Sequence, residues 1–322
     1  MSRLAIAVAV LFAFPFASWG APQFSEDFDV DPTANWTING GPSDEAADFF
    51  FDYGSVGIPS APNSAGTTRG MKLQANLSSG IFGGFSVSPN GEHFDGNYQL
   101  LFDWWANFNG PFPDGGSGSA NLSTFGIGTV GNTPQWPGGT QDSVWFAATG
   151  DGGSTADWRA YSSAAPTNYP DGDPVYAAAT RNSSDPYYAG LGQVLAPAAQ
   201  LVLFPQQSGT TAVGSGGMAW HQVDIAKIGN SLTWKIDGLL IATIDLTTVV
   251  LGGDDIFFGH SDINSTSSTD PLDSSLLFTL IDNIHVVPEP STWLLAIAAA
   301  IILGVCFGRQ RNRLSVPEER CV

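Results

Sequence analysis

Short runs rich in aromatic and β-branched residues, separated by Gly, Pro, Asn and Asp clusters, recur along most of the chain. They read FSEDFDV, DFFFDYG, IFGGFSV, YQLLFDWWANF, LSTFGIGTV, DSVWFAAT, WHQVDIAKI, LTWKIDG, DDIFFGHSD and LLFTLIDNIHVV. Strands of this length and spacing predict an antiparallel sandwich or barrel. Between Ala21 and Pro288 no segment carries a convincing 3.6-residue apolar period. The Ala-rich stretches AYSSAAPTNYP and VLAPAAQ are interrupted by proline, which breaks a helix in its interior. The expectation is an all-β body, read as one domain because neither an internal repeat nor a clean linker divides it.

The clearest local unit is WHQVDIAKIGNSLTWKIDGLLIATID, Trp220 to Asp245. Val223 and Ile225 alternate with polar neighbours, Gly229-Asn230 supplies a turn, and Leu232, Trp234 and Ile236 alternate again. Asp237-Gly238 then turns the chain into a third strand, so a meander with one buried face is predicted. Within YQLLFDWWANF, Trp104 and Trp105 must point to opposite faces of a sheet. At most one is core, and the other is covered by a loop or exposed and able to stack on a sugar ring. Residues 109–120 and 150–217 are long for sandwich connections, and long loops are often functional or mobile.

Charge narrows the partners. Between Ala21 and Pro288 there are 27 Asp and Glu against six Lys and Arg, a formal charge of −21. Such a body repels nucleic acid and anionic lipid, because phosphate binding requires basic residues to displace counterions. It suits divalent cations, although acidic charge also keeps an exported protein soluble. The two cysteines, Cys306 and Cys321, lie beyond the body, so no disulfide staples it.

Both ends carry targeting features. MSRLAIAVAVLFAFPFASWGAP combines Arg3, an apolar stretch from Leu4 to Phe16 and small residues at Ser18 and Gly20, the pattern of a secretory signal peptide over residues 1–20. Cleavage after Gly20 is expected. A cut after Ala21 would put Trp19 in a small-residue subsite and Pro22 just beyond the bond. Read instead as an anchor, the apolar stretch is too short to span comfortably.

At the other end stands VPEPST, then the uncharged run WLLAIAAAIILGVCF from Trp293 to Phe307, then Arg309, Arg311 and Arg313. Arginines directly after an apolar span stay on the cytoplasmic side, so the body lies outside. This order closely resembles the PEP-CTERM sorting signal of exported proteins in Gram-negative bacteria that make exopolysaccharide. The resemblance implies general secretory export and processing near the Pro-Glu-Pro by an exosortase, a membrane-embedded cysteine transpeptidase-like enzyme. Val287, Pro288, Glu289 and Pro290 would form the sorting motif, residues 293–308 one transmembrane helix, and 309–313 the basic stop cluster. Proline on both sides of Glu289 keeps the segment extended, fit for a protease-like groove. The chain departs from the pattern by continuing as LSVPEERCV, a tail over 314–322. An unprocessed single-span anchor is the other reading. The implied localisation is the inner membrane transiently, then the cell envelope surface or extracellular matrix.

The body, residues 21–286, has its own resemblance. FSEDFD, the hairpin W-H-x-V-x-I…G-N-S-L-T-W-x-I-D-G and LIDNIHV together resemble the concanavalin A-like, laminin-G-like jelly-roll domains. That implies two antiparallel sheets, often with first and last strands paired, and a carbohydrate- or protein-binding habit. If FSEDFD and LIDNIHV are neighbours, Glu26 or Asp27 approaches Asp282, and carboxylates that close repel unless a cation or hydrogen bonds intervene. Calcium suits such an oxygen-rich site. The alternative is that Asp27 and Asp282 bond nearby turn amides.

Catalysis has little support. Glycosidases of this fold typically carry E-x-D-x-x-E on one strand, and the motif is absent; Glu26, Glu45 and Glu92 are scattered. His93, His221, His260 and His285 form no metal-ligand cluster, and no G-x-S-x-G or P-loop occurs. The expected function is a non-enzymatic exported surface or matrix protein whose sandwich binds glycan or makes structural contacts. A secreted polysaccharide hydrolase or lyase is the alternative.

Overall fold

The computed structural model describes residues 22–40, 44–75, 77, 83–113, 121–139, 142–262 and 272–289. The signal peptide, Pro290, the apolar run from Trp293 and the arginines at 309, 311 and 313 lie outside the described residues. Among the described residues no helix is long and apolar enough to cross a membrane.

Fourteen strands form in the described residues: β1 Phe24–Glu26, β2 Trp36–Asn39, β3 Glu45–Asp52, β4 Arg69–Ala75, β5 Gly84–Pro89, β6 Tyr98–Asn107, β7 Asn121–Thr129, β8 Val144–Ala148, β9 Trp158–Tyr161, β10 His221–Ile228, β11 Ser231–Ile236, β12 Leu239–Asp245, β13 Asp255–Asp262 and β14 Phe278–Pro288. They build two antiparallel sheets. One runs β12-β11-β10-β6-β14-β4-β3, with β1 also on β14; the other runs β2-β5-β13-β7-β8-β9. The all-β antiparallel sandwich expected from the sequence is the fold observed. Each predicted apolar run contributes a strand, and the meander forms with Gly229, Asp237 and Gly238 at positive φ of 57°, 50° and 80°.

First and last strands pair as expected. β14 shares one edge between two partners: Thr279–Ile281 lie opposite β4 and Ile284–Val286 opposite β1. The switch coincides with an irregularity between Asp282 and His285 in the β6 pairing, where Asn283 takes a φ of 52°. Asn tolerates that left-handed conformation better than most residues.

Alternation sorts the side chains into three cores. Between the sheets, Leu100, Phe102 and Trp104 meet Phe125, Phe146, Trp158, Trp234 and Phe258. The packing is largely aromatic, as in the edge-on pair Phe102–Phe258 with centroids 5.0 Å apart. On the far face of β6, Trp105 joins Tyr53, Phe108, Phe112, Met218, Leu277 and Leu280 beneath the loops. The two tryptophans thus take opposite faces, and Trp105 is loop-covered rather than available to a sugar. On the outer face of the six-stranded sheet, Leu122, Trp145, Ala147, Tyr161 and Phe257 make a third cluster.

The 150–217 segment is pinned rather than loose. Gly217 bridges Ala106, Tyr176 bridges Ala242, and Gln207 Nε2 donates to Phe108 O at 2.8 Å. It also holds a helix that the proline argument did not anticipate, α1 Ala198–Leu203. Pro197 stands just before α1 and not inside it, where its missing N–H costs nothing. A second, four-residue helix, α2 Asp273–Leu276, precedes β14.

Candidate functional site

The outer face of the six-stranded sheet carries the most suggestive chemistry. Phe85, Val87, Phe125, Phe146, Trp158 and Phe258 point into the main core, so their alternate neighbours point outward. The register lines those neighbours up in rows that cross the strands. In one row Asn39 lies opposite Ser86, Ser86 opposite Gly259, Gly259 opposite Thr124, Thr124 opposite Ala147 and Ala147 opposite Arg159. In the next, Thr37 lies opposite Ser88, Phe257 opposite Gly126, Gly126 opposite Trp145 and Trp145 opposite Tyr161. Ser88 follows Val87, and Phe257 precedes Phe258, the antiparallel partner of Val87, which closes the second row. With strands about 4.8 Å apart, each row spans roughly 24 Å.

One end of the second row is an aromatic platform. The rings of Trp145 and Tyr161 stack with centroids 3.7 Å apart and planes 1° from parallel, and Phe257 meets Trp145 edge-on at 6.4 Å. Gly126 makes that approach possible: a Cβ there would stand 2.4 Å from Trp145 Cβ and 2.7 Å from Phe257 Cε1. The remainder of the floor is small and hydroxylic. Four of its polar atoms, Ser88 Oγ, Thr124 Oγ1, Ser261 Oγ and Trp145 Nε1, are buried with no hydrogen-bond partner. An unmade bond at a buried polar group typically costs about 1–3 kcal/mol, and the main core carries such atoms as well, at the Nε1 of Trp104, Trp158 and Trp234.

The 130–139 loop reaches over the β5 end of this face. Gln135 N donates to Ser86 Oγ at 3.0 Å, and Trp136 lies close above Gly84. The side chains of both rows from Ser86 and Ser88 to Tyr161, except Arg159, are shielded from solvent. Tyr161 is pushed above the ordinary tyrosine range, chiefly by burial.

The carboxylates proposed as calcium ligands are placed differently from one another. β1 sets Glu26 opposite Ile284, while Asp282 lies opposite Asp103. Glu26 Oε1 accepts from Phe28 N at 2.9 Å, and Asp27 Oδ1 accepts from Asp29 N at 3.1 Å. Asp282 accepts from Tyr53 Oη at 2.9 Å and from Asn283 N at 2.8 Å. The hydrogen bonds are therefore those of turn amides and a tyrosine, and among the described residues no group of three His, Cys, Asp or Glu could hold a metal ion. Burial, with the neighbouring charges of Asp103 and Asp29, pushes Asp282 up to about 7 against its two donors.

Of the sorting motif, Val287 and Pro288 belong to β14, opposite Gln99 and Tyr98, and Glu289 N donates to Asn97 O at 3.1 Å. The strand thus runs into the Pro-Glu-Pro, two residues beyond the body's expected end at 286.

No protein-family model matches the sequence, and no curated protein matches it. Solved structures similar to this one include a protein of unknown function with a galectin-like fold from Bacillus subtilis, at 10% identity and a TM-score of 0.45, covering 84% of this chain and 99% of that one. A Bacillus licheniformis β-glucanase matches at 12% identity and a TM-score of 0.41, covering 83% and 98%. The carbohydrate recognition domain of Emp47p matches at 10% identity and a TM-score of 0.38, covering 85% and 99%. At these identities and scores the likenesses carry no inference about ligand or activity.

Sequence reasoning named neither row. The signal was nonetheless present: in GGFSVSP, TFGIGT and VWFAA, every second residue is small, hydroxylic or aromatic where a solvent-facing strand would carry charge.

Proposed function

We propose that the sandwich is a glycan-binding module, carried by an exported protein that an exosortase sorts to the cell surface or extracellular matrix. The observation that supports the glycan reading is one sheet face that carries the Trp145–Tyr161 stack together with unpartnered hydroxyls at Ser88, Thr124 and Ser261. Sugar rings present an apolar face and a rim of hydroxyls, so aromatic side chains and short donors and acceptors at fixed spacing suit them. The outer face offers both, in rows long enough for an oligosaccharide rather than a single ring.

Binding without cleavage is the reading the residues favour. Glycoside hydrolysis uses a pair of carboxylates flanking the scissile bond, and the two rows hold neither Asp nor Glu. Because the face is shielded in the free chain, a glycan enters only as its cover moves aside. The sorting half of the proposal rests on the sequence order VPEPST, apolar run, arginines.

A glycan array probed with the purified protein tests the binding half. The expected result is retention of one or more polysaccharides, weakened about tenfold or more by Trp145→Ala. No binding to any glycan, or binding indifferent to Trp145→Ala, would overturn it. Intact-mass measurement of protein from envelope and medium tests the sorting half: a C-terminus near Pro288 to Pro290 supports it, and a full-length chain confined to membranes removes it.

A further inference from the structure

A cavity of about 210 Å³ opens at the β2 end of the second row. Thr37 joins the two, since it lies opposite Ser88 and also lines the cavity. The other walls bring together Asn90, Glu92, His93, Asp254 and Asp255, and no Lys or Arg takes part. Three carboxyl-bearing residues and one imidazole therefore line a space smaller than the usual drug-sized pocket. His93 Nδ1 and Asp254 Oδ1 are 2.7 Å apart, an exposed pair.

Asp255 is the unusual member. It is 94% buried, with 6% of its surface exposed. Its Oδ1 accepts from Ile256 N at 2.7 Å, and no donor among the described residues reaches Oδ2. Asp103, Asp157 and Asp282 are as buried, yet each accepts at least two hydrogen bonds, whereas Asp151 accepts from the nearby Gly153 N and both Asp44 oxygens lack a partner. The space beside Oδ2 is kept by Gly131, where a Cβ would approach that oxygen to 2.4 Å. Burial pushes Asp255 up to about 7, against the opposing effects of the Ile256 amide and of the His93 charge.

Resting on the glycan reading of the adjoining face, we propose that this cavity takes the free ammonium group of an amino sugar in the bound glycan, with Asp255 Oδ2 as its principal acceptor. A divalent cation fits less well: it requires six or more oxygen ligands, and no grouping of three His, Cys, Asp or Glu among the described residues meets even the beginning of that. An ammonium carries one charge and three donors and needs only Asp255 Oδ2 in direct contact, with Asp254 and Glu92 adding negative charge from the same walls. The charge of the body points the same way, because a formal −21 disfavours an acidic polysaccharide and favours a cationic one. An N-acyl group would remove the charge and add bulk to a small space.

The test is calorimetric titration of the purified full chain with paired hexosamine oligomers, β-1,4- and β-1,6-linked, each prepared with free amines and fully N-acetylated. The expected result near pH 6.5 is at least tenfold tighter binding of a free-amine oligomer than of its acetylated partner, a preference that shrinks with added salt and disappears in Asp255→Asn. Acetylating the ligand supplies the same comparison with the protein unchanged, so the outcome does not depend on a variant folding. Equal binding of the two forms, or a preference kept in Asp255→Asn, would overturn the ammonium site and leave the glycan face standing. Binding of neither form, together with a blank array of neutral glycans, would remove both.

Discussion

Asp103 on β6 and Asp282 on β14 lie directly opposite each other in the register, both fully buried. Asn283 Nδ2 donates to Asp103 Oδ2 at 2.9 Å, Asn63 donates to both Asp103 oxygens, and Tyr53 and the Asn283 amide serve Asp282. Two buried carboxylates this close are costly when both are ionised. Burial raises both, and Asp282 titrates at about 7 against an ordinary 3.8.

The sign of the pH effect follows. The folded chain holds the Asp282 proton more tightly than the unfolded chain, so this group's stabilisation is complete below about pH 4 and is lost as pH rises through about 7. His260 works in the opposite direction: burial lowers it to about 3, so its contribution is held above 6.5 and lost as pH falls. Comparing the native chain with Asp282→Asn isolates the carboxyl. Urea midpoints at constant ionic strength should show the native chain losing ground to the variant between pH 4 and pH 8, by on the order of a few kcal/mol. A pH-independent difference would mean that Asp282 stays ionised in the folded chain.

Trp105 anchors the loops on the far side of the same sheet. Its ring lies 5.7 Å from Trp220, and its Nε1 donates to Asn107 Oδ1 at 3.2 Å, which also receives Gln200 Nε2 at 2.7 Å. Trp105→Ala should cost about 3–5 kcal/mol and release the 186–217 region to proteolysis, while far-UV circular dichroism keeps its β character. Cleavage spread evenly over the chain would instead indicate that Trp105 supports the whole sandwich.

What could be read in advance followed the range of each interaction. The meander from Trp220 to Asp245 was legible because its alternation and both turns are local. β4 was not: RGMKLQA places Lys72 inside a sheet, where its ammonium sits over the rings of Phe51 and Phe278. A charged residue in such a strand hides it from any alternation count. The Asp282 environment was half legible, since the β1–β14 pairing was expected but the partner carboxylate comes from β6 through a register set at Asn283. The rows of the outer face draw two residues from each of six strands, so their residue types were visible and their assembly was not.

Gly126 tests the aromatic platform without removing any ring. Adding a Cβ drives it to 2.4 Å from Trp145 Cβ and 2.6 Å from Val144 O, and the backbone oxygen has little room to yield. Gly126→Ala should cost about 1–3 kcal/mol and separate Trp145 from Tyr161, with loss of their near-ultraviolet circular dichroism signal and of glycan retention. Gly190→Ala is the control, because a Cβ there meets no atom within 4 Å. Equal behaviour of the two variants would show that the stack does not depend on the close approach at Gly126.

The end of β14 sets where the chain can be cut without unfolding the body. Ile284 and Val286 are fully buried and pair with β1, whereas Val287 and Pro288 are only half-buried and Glu289 holds a single amide bond to Asn97 O. A chain ending at Pro288 should melt within about 2 °C of one ending at Glu289, since surface groups of this kind are worth only a few tenths of a kcal/mol. A chain ending at Ile281 should fail to fold, having lost both buried residues and the whole β1 ladder. Hydrogen exchange gives an independent reading: the Glu289 amide should exchange more slowly in the folded chain than in urea, because it is bonded to Asn97 O. Processing near the Pro-Glu-Pro is thus compatible with an intact sandwich at or beyond the Pro288–Glu289 bond, and a mature C-terminus found upstream of Val286 would contradict this account of how the last strand is held.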